Sequence, residues 1–167
     1  MVVRALLDGW ARDANVRPVV LVRKGDRSRR GERTADAYAE VSLDLRGIGR
    51  GDPRGILAFF VSLPAMLWRL RRTIRSHGVQ AVNVHYPGIW ALSLCVTRRV
   101  LTHPPRLVLS FHGTDLRESK SRNGAKRLAW RFIMNSGDAI TACSRALAAD
   151  VEKRFGLQPG TVRAIHN

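Results

Sequence analysis

A chain of 167 residues supports one domain with a real core and excludes a second of comparable size. The hydrophobic fraction of 45% and charged fraction of 25% are those of a soluble globular protein, and there is no low-complexity tract. Lys plus Arg is 29 against 13 for Asp plus Glu, so the formal net charge is +16. That balance fits nucleic acid, an anionic membrane surface or a phosphorylated ligand, and equally a plain Arg-rich solvated surface.

Helix and strand signals alternate along the chain. Val3, Leu6, Leu7 and Trp10 share one helical face, which predicts a helix over Val3–Ala14. Pro18–Val22 is a compact apolar run and reads as a buried strand. Arg23–Asp36 is polar and reads as a loop. In Ala39–Leu45, Val41, Leu43 and Leu45 alternate with polar residues, a half-exposed strand. Arg46–Pro53 is a glycine-rich connection.

A long helix follows from Arg54 to Ser76, with Leu63, Leu67, Leu70 and Ile74 as its inward stripe and Gly78 as its stop. Val79–His85 is a strand, turned at Pro87-Gly88. Ile89–Leu101 is a helix closed by Pro104-Pro105, and Leu107–Phe111 is a buried strand. Arg122–Asn135 is a helix with Leu128, Phe132 and Ile133 inward. Asp138–Cys143 is a strand, Ser144 caps a helix running to Phe155, and Gly156 stops it. Thr161–Ile165 is the last strand. Strands alternating with helices predict an α/β fold: a doubly wound, mainly parallel sheet with helices on both faces. The order is helix first, whereas such a fold opens on a strand.

Cys95 and Cys143 lie in apolar contexts without metal-like spacing, which predicts buried, reduced thiols in a cytoplasmic protein. Met1–Trp10 lacks the pattern of a signal peptide. The uncharged segment Gly55–Trp68 is shorter than the ~20 residues of a membrane span, and arginines follow it. A helix over residues 54–77 lying on an anionic membrane surface is one expectation, and an ordinary solvated helix face is the other.

Parallel sheets bind ligands beyond the carboxyl ends of their strands. The polar residues there are His85 and Tyr86, then His112, Gly113, Thr114 and Asp115, then Ser144 and Arg145. Gly113 would let a ligand approach closely. Ser144 reads as an N-cap, beside which free N–H groups could hold a phosphate or sugar oxygen. Asp115 could brace its loop or touch ligand.

These residues carry a resemblance. Leu107–Asp115 (LVLSFHGTD), Asp138–Leu147 (DAITACSRAL) with Phe155-Gly156-Leu157, and Val162–Asn167 (VRAIHN) resemble successive elements of the N-terminal domain of family 4 (group 1) retaining glycosyltransferases. The resemblance covers nearly the whole chain and is strongest from Val79 to Asn167. It implies one Rossmann-like half of a GT-B enzyme, the acceptor side of a cleft. A sugar would pass there from a nucleotide-sugar to a lipid-linked, saccharide or small-molecule acceptor with retention of configuration. It implies His112 as the residue reaching the transferred sugar. His85, Tyr86, Gly113, Thr114, Asp115, Ser144 and Arg145 would line the substrate. No cofactor or metal is expected.

The family pattern opens on a strand and glycine-rich turn that have no counterpart here, and its second domain has none either. Residues 1–167 are therefore expected to be a partial domain, inactive alone and aggregation-prone. Glu32 and Glu40 match the family's Glu-x7-Glu spacing by chance, since that pair belongs to the family's other domain. A basic nucleic-acid or anionic-surface module is the alternative. Against nucleic acid, the arginines are dispersed, and Phe59, Phe60, Phe111 and Phe132 take core-like positions. A sugar-nucleotide epimerase of the same architecture is a third reading. The absence of Gly-x-Gly-x-x-Gly disfavours a dinucleotide enzyme.

Overall fold

The computed structural model describes residues 17–23, 39–49, 51–119 and 123–165. The chain forms two compact units, residues 1–45 and 46–167. In the first, β1 (Val19–Arg23) and β2 (Ala39–Leu43) pair in parallel, from Val19 opposite Ala39 to Arg23 opposite Leu43. Both strands were expected. The expected helix over 3–14 and loop over 24–36 lie outside the described residues.

The second unit is a four-stranded parallel sheet flanked by helices, in the order β3-β4-β5-β6. After α1 (Pro53–Ser76) come β3 (Ala81–His85), α2 (Ala91–Arg99), β4 (Arg106–Phe111), α3 (Thr114–Glu118), α4 (Gly124–Ser136), β5 (Ala139–Ala142), α5 (Arg145–Phe155) and β6 (Val162–Ala164). Each pair of neighbouring strands is joined through helix, as parallel pairing requires. The register sets one apolar residue per strand in a row: Val84, Leu109, Ile140 and Val162. All four are buried, and Leu107, Leu109 and Phe111 give β4 a sealed face. Burial of such side chains stabilises by roughly 1.5–3 kcal/mol each.

The helices begin where their caps dictate. Asp52 accepts the Gly55 N–H at 2.7 Å, and Pro53 occupies the first turn of α1, where its missing donor costs nothing. Ser144 accepts the Leu147 N–H at 3.1 Å, and α5 ends at Gly156 in left-handed backbone (φ +65°). Asp138 clasps three elements. Its carboxylate accepts the Leu107 N–H at 2.6 Å and pairs with Arg98 at 2.7 Å, while Arg98 also reaches the carbonyls of Pro105 and Ser136.

Two helical faces differ from expectation. In α1 the buried positions are Phe59, Met66, Leu70 and Ile74, with Leu63 and Leu67 only half-buried. The Met66 sulfur accepts the Arg46 N–H at 3.4 Å, so the thioether rather than Leu67 sits at the centre of the stripe. In α4 the buried residues are Ala129, Trp130, Ile133, Met134 and Ser136, while Leu128 is 69% exposed. Leu128 lies about 140° around the helix from Ile133, so burying Trp130 turns it outward. The short helix α3 was not foreseen; its residues read as loop.

Candidate functional site

The carboxyl ends of β3, β4 and β5 stand side by side because their register places them there. His85 lies opposite Ser110, and Phe111 opposite Ala142. The ladder continues past the strands: Tyr86 donates its N–H to Ser110 O at 3.1 Å, and Cys143 donates to Phe111 O at 3.2 Å. Whatever follows these strands is therefore held at one edge of the sheet.

Three of the expected residues meet there. His85 Nδ1 lies 3.1 Å from His112 Nε2, a hydrogen bond whose donor depends on the tautomer. Tyr86 stacks on the His112 ring, with centroids 4.4 Å apart. Tyr86 also has φ +53°, the only positive value on a non-glycine residue among the described residues. Backbone strain of this kind costs on the order of 1–3 kcal/mol and persists only where its surroundings hold it. Here the holders are the Ser110 carbonyl and the His112 ring.

The turn after β4 is built on Asp115. This residue is 3% exposed. Its carboxylate accepts N–H groups from His112 at 3.1 Å, Gly113 at 2.7 Å and Leu116 at 3.1 Å. Those bonds occupy it as a brace for the loop, one of the two roles its position allowed. Gly113 has φ +107°, which a side chain would strain, and the space where a Cβ would stand is open. Thr114, exposed, begins α3. Ser144 caps α5, and Arg145 is exposed. Among the described residues no hydrogen bond or ring contact joins Ser144 or Arg145 to the His85–Tyr86–His112 group.

A polar chain on the same face was missed. Thr141 donates to Ser110 Oγ at 2.9 Å, and Ser110 donates to Asn83 Oδ1 at 2.7 Å. Ser110 and Thr141 are buried, so the chain meets the need of buried hydroxyls for partners. The signal was present in the sequence as one polar residue inside each of three apolar strands. Of the cysteines, Cys95 is buried, and burial pushes its thiol up to about 11. Such a thiol is inert. Cys143 is only half-buried, against expectation.

Burial holds His85 below the ordinary histidine value, and the neighbouring His112 lowers it further. The unfolded chain therefore binds that proton more tightly than the folded one. The stability this site contributes is present above the unfolded value of about 6.5 and is lost as pH falls through the lowered folded value. Urea denaturation should show a midpoint that drops between about pH 7 and about pH 5, with a shallower drop for His85→Asn. Equal slopes for the two proteins would remove His85 as the source.

Over residues 1–167 the chain matches the model of Glycosyltransferase Family 4. No curated protein matches it.

Proposed function

Because the chain belongs to Glycosyltransferase Family 4, we propose that it forms the acceptor side of a sugar-transfer cleft. In that cleft the bond from the anomeric carbon to a nucleoside diphosphate breaks. A bond to an acceptor oxygen forms on the same face, and no resident metal takes part. The observation that carries this reading is the meeting of His85, Tyr86 and His112 beyond the strand ends, beside the open backbone of Gly113. A half-buried imidazole there can hydrogen-bond a sugar hydroxyl and fix its orientation. Gly113 lets the sugar approach the backbone. Thr114, Ser144 and Arg145 border the same edge and would meet the acceptor or a phosphate oxygen.

The test is nucleoside diphosphate release by the protein from a panel of UDP-, GDP- and ADP-sugars. His112→Ala should lower the rate by about 10²-fold or more while the protein still folds. An unchanged rate would remove His112 from the reaction.

A second observation favours a membrane-surface acceptor. On α1, Leu57, Phe60, Val61 and Trp68 are 60% or more exposed. Leu57, Val61, Pro64 and Trp68 follow one another at helical spacing. Arg69, Arg71, Arg72 and Arg75 are exposed at the end of this stripe, and Arg72 lies over the Trp68 ring at 5.5 Å. The helix contains no carboxylate. Among the described residues no helix is long and apolar enough to cross a membrane. An apolar stripe continuous with arginines fits an anionic bilayer surface, with the protein peripheral on its cytoplasmic face. The chain should float with vesicles containing phosphatidylglycerol and not with phosphatidylcholine alone, and Trp68→Glu should abolish flotation. Flotation indifferent to anionic lipid would contradict the assignment.

A further inference from the structure

We infer that His85 is a positioning residue. Its Nδ1–H takes up Nε2 of His112, so that His112 meets its ligand as a donor through Nδ1. The inference rests on the reading of His112 given above and reassigns His85, which sequence position alone placed against substrate.

His112 is held from three directions. Its backbone N–H is bound by the Asp115 carboxylate. Its ring face is covered by Tyr86. Its Nε2 is engaged by His85 at 3.1 Å, with the two rings 5.3 Å apart between centroids. Among the described residues Nδ1 of His112 has no hydrogen-bond partner, so it is the one polar atom of the side chain left for a ligand.

A neutral imidazole carries one proton, and the partner of one nitrogen fixes which nitrogen holds it. When His85 donates from Nδ1, Nε2 of His112 must be an acceptor, and the proton of His112 sits on Nδ1. That arrangement offers a donor to a sugar hydroxyl or to a departing phosphate oxygen, both of which accept. The opposite arrangement leaves Nδ1 a bare lone pair, to which a sugar hydroxyl can still donate but which opposes a departing phosphate oxygen. Burial and the facing ring both disfavour a charged His85, so it meets His112 as a neutral ring. Asp115 is the carboxylate in the same turn. It is committed to backbone N–H groups and does not compete for the ring.

The tautomer is read from the nitrogen-15 shifts of the two histidines in the protein at neutral pH. The expected result is His112 protonated on Nδ1 with an acceptor-like Nε2. His85→Phe, which removes the donor, should move the His112 proton to Nε2 or average it between the nitrogens. His85→Asn, whose amide can donate from nearly the same place, should keep it on Nδ1. Nε2-protonated His112 in the unaltered chain, or a tautomer indifferent to His85→Phe, overturns the inference. In the transfer assay His85→Phe should lower kcat about 10- to 100-fold with little change in KM for the donor. His85→Asn should restore much of it. The spectra do not depend on turnover. If they agree while His112→Ala leaves transfer intact, the functional reading falls and the tautomer assignment stands.

Discussion

The Asp115 carboxylate lies almost wholly out of solvent, where an ionised group would be costly if unpaired. Three backbone N–H groups of its own turn meet it, from His112, Gly113 and Leu116. Charge-assisted bonds of this kind are about twice as strong as neutral ones. They bend the chain sharply at the end of β4, and Gly113 supplies the backbone angle that the bend needs. The consequences run in both directions. Ahead of the bend, His112 is pinned at its N–H and its ring is directed toward β3. Behind it, α3 begins, and its far end is tied to α5 through Arg154, which donates to the Ser119 carbonyl at 2.7 Å.

The sheet supplies the other half of the arrangement. Its sealed face, with Leu107, Leu109 and Phe111, holds the four strands in register. The opposite face carries Asn83, Ser110 and Thr141, joined in one hydrogen-bonded chain. A one-residue slip of β3 against β4 would move every side chain to the other face. It would break that polar chain and part His85 from His112 in the same step. The histidine pair is thus a product of register, and the apolar row across the sheet is what fixes the register.

Much of this was legible in the sequence. The strands announced themselves as short apolar runs, and the helices through caps such as Ser144 and stops such as Gly156. The rule that ligands gather at strand ends singles out His85, Tyr86 and His112 from the sequence alone. What stayed hidden was relational. The inward choice of Met66 over Leu67, and of Trp130 over Leu128, depends on neighbours from distant elements rather than on helical period. The role of Asp115 depended on a turn that local sequence left open. That His85 touches His112 follows only from pairing β3 with β4 in one particular register.

The central claim is that a sugar is handled beyond the ends of β3 and β4, in contact with the His112 turn. A crystal structure of the protein with a bound nucleotide-sugar tests this most directly. The account predicts the transferred sugar within hydrogen-bonding distance of His112 and against the Gly113 backbone, with His85 still engaged on Nε2. A sugar seated away from this turn, with His112 untouched, would contradict it.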